Sequence, residues 1–339
     1  MIVSALAKII NRVNLTEEEM ADVMQSIVTG KATPSQIGAF LVALRMKGET
    51  TEELTAAARV MRNMAQQLDV PACDDAVLLD TCGTGGDNKG TFNISTVASF
   101  VIAGAGVKVA KHGNRAVTSS CGSADLLQAL GVKIDIPLQT IRDCINRIGL
   151  GFLYAPLFHP AMAYAAPLRR EIGVRTVFNM LGPLTNPAMA PAQLVGVFDQ
   201  ELTETFACVL QKLGCRHALV VHGSDGLDEI TITGASKITE LKDNETRTYY
   251  LHPRSVGMEE GRSSELIGQG IADNVAITHE ILDGRKGTRR DVVLLNSAAG
   301  LIAAGKANDF NHGVTIAADS IDSGRAVTVL RELIRFTNG

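Results

Sequence analysis

The chain has 339 residues, 46% of them hydrophobic, and a formal net charge of −4 at pH 7. Single cores stop growing at about 250–300 residues, so two domains, or one large domain with an appendage, are expected. The near-balanced charge argues against broad binding to nucleic acid or anionic membrane, and aromatics at only 4% with no Trp disfavour a base-stacking platform.

Six cysteines, Cys73, Cys82, Cys121, Cys144, Cys208 and Cys215, show no CxxC spacing and no zinc-like pairing with His. They read as reduced, mostly buried thiols, which points to the cytoplasm. The N-terminal residues lack the basic start and long apolar run of a signal peptide. The apolar stretch Val97–Val109 contains glycines and is too short to span a bilayer.

The first seventy residues read as a small helical bundle. Thr16 with Glu19 makes a capping box, followed by Met20, Val23, Met24, Ile27 and Val28 on one face and Gly30 as a stop. Thr33-Pro34-Ser35-Gln36 opens a second helix, whose apolar run Ile37–Leu44 ends near Gly48. Thr50 with Glu53 opens a third, to about Gln67. Val70-Pro71-Ala72 reads as a linker.

Beyond it the pattern alternates. Strands are predicted at Val77–Leu79, Val107–Ala110, Val132–Ile134, Phe152–Tyr154, Leu194–Phe198 and Ala218–Val221. Helices are predicted at Ser95–Ala103, Ala124–Leu130, Leu138–Ile148 and Leu202–Leu213. This alternation implies an α/β domain, residues 74–339, with a mostly parallel central sheet covered by helices. Pro160–Ile172 and Arg175–Leu181 look helical, and helices from about 160 to 185 are expected to pack back on the 1–70 bundle.

Asp80-Thr81-Cys82-Gly83-Thr84-Gly85-Gly86-Asp87 leaves a strand and precedes a helix, where ligands of open α/β sheets bind. Glycines let backbone N–H groups approach an anion. A lone glycine pair is more simply a tight turn; three glycines with Thr and Asp favour phosphate. A Walker A loop would end in Gly-Lys-Ser/Thr, but Lys89-Gly90-Thr91 stands here. A dinucleotide fingerprint would carry a third glycine where Asn88 sits.

Asn93-Ile94-Ser95-Thr96 begins the next helix, with hydroxyls, an amide and free N–H groups suited to an anion or hydrated metal; simple capping explains only some of them. The following strand delivers Lys111-His112-Gly113-Asn114-Arg115-Ala116-Val117-Thr118-Ser119-Ser120. Alone, that run is also an exposed basic loop. Loops from successive strands share a sheet edge, so both clusters are read as one site, with Ser123 an added anion donor.

Taken in order, the runs Gly83–Asp87, Asn93–Thr96, Lys111–Ser120, Gly122–Asp125, Phe158–Met162, Arg169–Glu171, Arg175–Asn179, Leu181–Pro183, Asn186-Pro187 and Asp225–Glu229 resemble the anthranilate phosphoribosyltransferase family of tryptophan biosynthesis. The resemblance covers nearly the whole chain. Pro34–Leu44 also resembles the helical domain shared with pyrimidine nucleoside phosphorylases.

The resemblance implies attack of anthranilate's amine on C1 of phosphoribosyl pyrophosphate, releasing pyrophosphate. It implies Mg²⁺ and a homodimer joined through the helical domain; on a turn after Gly226 the adjacent acids Asp228 and Glu229 can both face one site, so two ions per subunit are expected. By that likeness Gly83, Gly86, Asp87, Thr91, Asn93, Ile94, Ser95 and Thr96 meet phosphoribosyl pyrophosphate, as do Lys111 through Ser119 and Ser123. Gly83, Asn114 and Arg169 match anthranilate contacts, and Ser95, Asp228 and Glu229 match magnesium ligands. Ala163-Tyr164 departs from the Lys-His of many members, on the stretch that carries Arg169.

The chemistry suits these residues. Pyrophosphate leaves readily once its charge is neutralised, and Lys111, backbone N–H groups and a hard cation on oxygen ligands do this. Asp87 is placed to sense cationic character on C1. Anthranilate's amine is already neutral near pH 7, so His112 is a candidate to orient it or to support the structure. Arg169 is a candidate bidentate clamp for the carboxylate; a surface arginine on an amphipathic helix is the alternative. Asp228-Glu229 is otherwise a solvated acidic turn. Two rival readings, a pyrimidine nucleoside phosphorylase and a non-catalytic nucleic-acid-binding relative, lack respectively the Lys-Ser/Thr-Ser-Gly pattern and a decayed pyrophosphate loop.

Overall fold

The computed structural model describes residues 2–70, 77–116 and 120–339. The Pro71-Ala72 linker, Cys73, the expected start of the α/β domain at residue 74, and the site candidates Val117, Thr118 and Ser119 lie outside the described residues.

The chain opens with helices α1 (Ile2–Ile10), α2 (Glu17–Val28), α3 (Pro34–Lys47) and α4 (Thr51–Met64). Thr16, Thr33 and Thr50 each close a reciprocal capping box with Glu19, Gln36 and Glu53, so the three predicted helix starts follow from local chemistry. Helix α1 is an addition, held by its buried stripe Ile2, Ala5 and Ile9.

Seven strands form one sheet: β1 (Leu78–Gly83), β2 (Lys108–Gly113), β3 (Leu150–Tyr154), β4 (Ala192–Gly196), β5 (His217–Gly223), β6 (Ser236–Lys242) and β7 (Glu245–Leu251). Their order is β3-β2-β1-β4-β5-β6-β7. The first five are parallel, and β6 and β7 add antiparallel at one edge. The intervening helices are α5 (Ile94–Gly104), α6 (Ser123–Ala129), α7 (Leu138–Ile148), α8 (Ala155–Phe158), α9 (Ala166–Ile172), α10 (Val177–Leu181) and α11 (Leu202–Lys212). Helices α12 (Ile271–Leu282), α13 (Thr288–Ala303), α14 (Phe310–Asp322) and α15 (Arg325–Asn338) complete the chain.

Alternate strand residues serve two cores. Leu194, Leu219 and Val221 pack with α5, α13 and α15, while Val195, Ala218 and Val220 pack with α11 and the N-terminal bundle. The segment after β3 returns to that bundle, as its apolar character predicts: Ala165, Val177, Phe178, Met180 and Leu181 share a cluster with Phe40, Leu41 and Leu54. Tyr164 lies so close to the turn after α2 that a β-carbon on Gly30 would sit 2.7 Å from its ring.

Three expectations are corrected. Val132–Ile134 is not a strand; both apolar side chains are buried in the connection between α6 and α7, and the N–H of Val132 returns to Leu127. Strand β2 runs three residues further than predicted, so Lys111, His112 and Gly113 belong to the strand, not to a loop after it. Strand β1 likewise runs through Gly83. Among the described residues no helix is long and apolar enough to cross a membrane.

Candidate active site

The carboxyl ends of β1 and β2, the bend after β5 and the segment 169–183 surround a cleft of about 360 Å³. That volume falls within the range of small-molecule sites. Every described candidate lines it: Gly83, Gly86, Asp87, Thr91, Asn93, Ile94, Ser95, Thr96, Lys111, His112, Gly113, Asn114, Arg115, Ala116, Ser123, Arg169, Asp228 and Glu229. The cleft also takes in Cys82, Phe178, Asn179, Gly182 and Pro183, to which the sequence assigns no role. The last four lie in runs that carry the family resemblance.

The glycine loop has the backbone its composition demands. Gly85, Gly86, Asn88 and Gly90 all take positive φ, between 58° and 75°. The Arg175 guanidinium donates to the Gly86 carbonyl and stacks 4.4 Å over the Phe198 ring, so an arginine on the bundle-side segment pins the outer face of the loop. Thr84 anchors the other side, its hydroxyl accepting from the N–H of Phe198.

Helix α5 points its first turn into the cleft. The N–H of Ser95 donates to Glu229 Oε1 at 3.2 Å, and Ser95 Oγ lies 3.4 Å from Lys111 Nζ. Asn93 Oδ1 and Thr96 Oγ1 are buried without a partner among the described residues. Ile94 lines the cleft through its backbone, since its side chain belongs to the core and its N–H is taken by Phe92.

Lys111 is 3% exposed. Burial lowers its pKa against the opposing pull of Asp80, Cys82 and Glu229. Burial also holds His112 down at about 4, so its imidazole is neutral at pH 7. His112 Nδ1 faces the Gly182 carbonyl at 3.1 Å, which places the proton on Nδ1 and leaves Nε2 as a lone pair. The ring of His159 lies 5.1 Å away.

The following loop is more committed than its composition suggests. Arg115 pairs with Asp125 at 2.9 Å, and the N–H of Ala116 donates to the same carboxylate. Asn114 accepts from the N–H groups of Arg115 and Ala124 and from the Ser123 hydroxyl.

Asp228 and Glu229 occupy a bend after β5, not a solvated turn. Asp228 Oδ2 accepts from the N–H of Gly85 at 2.7 Å. Both carboxyls are pushed up, first by burial, then by neighbouring acids: Asp87 against Asp228, and Asp228 against Glu229. Asp225 fixes the bend from one side, accepting from the hydroxyls of Thr231 and Thr233 at 2.6 Å each. Asn296 of α13 fixes it from the other, its amide bonding both the N–H and the carbonyl of Ile230. Among the described residues no three His, Cys, Asp or Glu form a ready-made metal cluster.

Arg169 sits on the facing wall, its guanidinium 5.3 Å from the Phe178 ring centroid. Its pKa is lowered by burial alone, with no acidic neighbour opposing that shift. A half-buried cation beside a ring, free of an acidic partner among the described residues, has the chemistry to receive a planar carboxylate.

A glycine cradle, a buried lysine, an acidic pair and a lone arginine around one crevice define an anion-binding transferase. Residues 75–327 match the α/β domain of the glycosyl transferase family, and residues 3–65 match that family's helical bundle domain. An anthranilate phosphoribosyltransferase of Moorella thermoacetica is 53% identical over 334 residues, covering 98% of each chain. The crystal structure of the Thermus thermophilus enzyme of that name superposes with a TM-score of 0.92 at 42% identity, covering 99% of both chains. The Saccharomyces cerevisiae enzyme, solved in complex with PRPP and Mg, superposes with a TM-score of 0.90 at 28% identity, covering 99% of this chain and 98% of that one. The chain belongs to the anthranilate phosphoribosyltransferase family.

Proposed function

We propose that this enzyme transfers the phosphoribosyl group of phosphoribosyl pyrophosphate to the amine of anthranilate, giving N-(5-phosphoribosyl)anthranilate and pyrophosphate in tryptophan biosynthesis. The observation that carries this reading is the opposition, across one cleft, of the anion cradle with Lys111 and an arginine that has no acidic partner among the described residues. The first suits pyrophosphate and the second a carboxylate.

The residues divide the work. Backbone N–H groups of the glycine loop and the Lys111 ammonium bind the pyrophosphate end, the unpartnered Thr96 hydroxyl can donate to it, and the unpartnered Asn93 Oδ1 can accept from a ribose hydroxyl. Arg169 clamps anthranilate, with Gly83 and Asn114 beside it. Neutral His112 presents an acceptor lone pair, suited to orienting a neutral amine. Asp87 lies next to the acidic pair, where it faces developing charge on C1.

Burial first, and then repulsion from neighbouring acids, raises both Asp228 and Glu229, a penalty that a bound cation would relieve, so the donor set fits Mg²⁺. Ser95, Asp228 and Glu229 would hold it, two ions per subunit being our reading, with water and substrate oxygens completing the shells. When bound, magnesium supplies positive charge to the departing pyrophosphate.

Residues 1–70 with the helices of about 160–185 form one unit in this reading and residues from 74 onward the other, with the cleft between them. Exposed apolar residues on the bundle, Val3, Ile10, Val42 and Met46, support a homodimer through that unit. The free thiols of Cys82, Cys144, Cys208 and Cys215 fit a cytoplasmic enzyme.

Loss of anthranilate fluorescence in the presence of phosphoribosyl pyrophosphate and Mg²⁺ tests the proposal. A chain that leaves anthranilate untouched but phosphorolyses thymidine, or binds DNA, belongs to one of the rival readings.

A further inference from the structure

The floor of the cleft is a fork in the sheet. Strands β1 and β2 pair only at Leu78 with Lys108 and Leu79 with Val109. Past that point each stays paired on its other side: β1 with β4 as far as Gly83 and Gly196, and β2 with β3 as far as Gly113 and Tyr154. The inner edges of both strands should therefore carry unpaired backbone groups in a buried place, which proteins avoid.

Side chains replace the missing ladder. Asp80 Oδ1 accepts from the N–H of His112 at 3.1 Å. Asn186 Nδ2 donates to the carbonyl of Ala110 at 2.8 Å. The Lys111 ammonium donates to the carbonyl of Thr81. Gln193 Nε2 closes the base, reaching Asp80 Oδ2 at 3.3 Å and the Pro183 carbonyl at 3.0 Å. Asp80, Asn186 and Gln193 are each at most 1% exposed, so none of the three is a surface group.

We propose that Asp80 and Asn186 are positioning residues: they wedge β1 and β2 apart and so hold the Lys111 ammonium at the floor of the cleft, acting on the pyrophosphate through Lys111. Adjacent paired strands lie only about 4.8 Å apart, which leaves no room between them for an ammonium group. The fork makes that room. The Asp80 carboxylate supplies a counter-charge from beneath, away from the substrate, so the lysine stays buried and still presents donors upward, where Ser95 marks the direction. Asn186 is polar, uncharged and bonded on both sides, since its Oδ1 accepts from the N–H of Ala188 at 2.8 Å. It therefore braces β2 without altering the charge of the floor.

The inference rests on the cleft being a pyrophosphate site, and a double-mutant cycle on binding tests it independently of turnover. Inorganic pyrophosphate with excess Mg²⁺ is titrated calorimetrically into the wild type, Asp80→Asn, Asn186→Ala, Lys111→Met and the two doubles with Lys111→Met. Each plug variant should weaken pyrophosphate about tenfold alone, and less than about twofold once Lys111 is gone. Losses that multiply in the doubles, or an Asn186→Ala protein that binds like the wild type, overturn the proposal. Thermal unfolding checks each variant; if either plug variant fails to fold, Asn186→Ser, which removes the amide with less disturbance, carries the same cycle. The anthranilate assay on the wild type decides the catalytic reading separately: a chain that binds pyrophosphate but consumes no anthranilate sinks that reading, while the cycle still decides the plug.

Discussion

Gly196 and Asp228 share one corner of the site: a β-carbon on Gly196 would lie 1.6 Å from the Asp228 carbonyl oxygen. Gly83, its partner in register on β1, would place a β-carbon 2.5 Å from Asp228 Oδ2. Two bare strand ends are thus the seat of the acidic bend.

Gly196→Ala must push that backbone away, because a carbonyl cannot rotate aside as a side chain can. Overpacking of this kind costs about 3 kcal/mol, visible as a lowered urea midpoint. A shift of the acids by about 1 Å should also cut kcat/KM by roughly 100-fold. An alanine variant with unaltered magnesium dependence would show that the bend is not seated on Gly196.

Arg169→Ala should raise KM for anthranilate by roughly 10- to 100-fold and leave KM for phosphoribosyl pyrophosphate nearly unchanged. The guanidinium lies over the Phe178 ring, and among the described residues no acid opposes its burial-lowered pKa. Equal effects on both substrates would reject the clamp.

The bundle and the site edge are legible in the sequence because their signals are local. A Thr followed three residues later by Glu or Gln specifies a helix start from chemistry within one turn, and all three such boxes form. The β6–β7 hairpin escapes that reading: its turn, Asp243-Asn244, takes φ of 50° and 68°, the mirror-image geometry usually signalled by a glycine that is absent here. Lys111 and His112 read as loop residues because polar residues rarely continue a buried strand; the fork that satisfies them depends on Asp80 and Asn186, remote in sequence. Gly196 carries no signal at all, since its reason for being glycine is a backbone 32 residues further on.

Far from the cleft, Glu240 is held at about 2, first by its hydrogen bond to His217 against the opposing effect of burial, and then by Arg247. A depressed carboxylate contributes stability that is complete above its unfolded value, near 4.5, and is lost as pH falls from there toward 2. Glu240→Gln should therefore cost about 1–2 kcal/mol at pH 7 and progressively less below pH 4.5. Urea midpoints at pH 7, 4.5 and 2.5 measure this. A constant difference across that range would mean the ion pair is not the source.

The bundle exposes Ile10 at 65% and Met46 at 72%, on helices α1 and α3. If that face joins two copies, Ile10→Asp with Met46→Glu should convert dimers to monomers in sedimentation velocity, with each subunit still folded. A wild-type chain that sediments as a monomer at the same concentration removes the dimer.

Asp228→Asn should have opposite effects in two conditions. Without magnesium, inorganic pyrophosphate should bind several-fold more tightly, since less negative charge opposes it; with magnesium it should bind more weakly. Calorimetry in both buffers reads the sign, and a loss of the same size in each would rule out the exchange.

The contact between the Asp228 carboxylate and the N–H of Gly85 has one more consequence. The cradle comes with a tenant, tethered in cis and therefore present at high local concentration. Any incoming pyrophosphate is weighed against that resident carboxylate, so measured affinity is a difference between two anions. A guest carrying its own cation gives the tenant somewhere better to go, while a bare one must evict it unaided. On the proposed function, this rivalry would make the resting protein screen for metal-laden substrate before any chemistry begins.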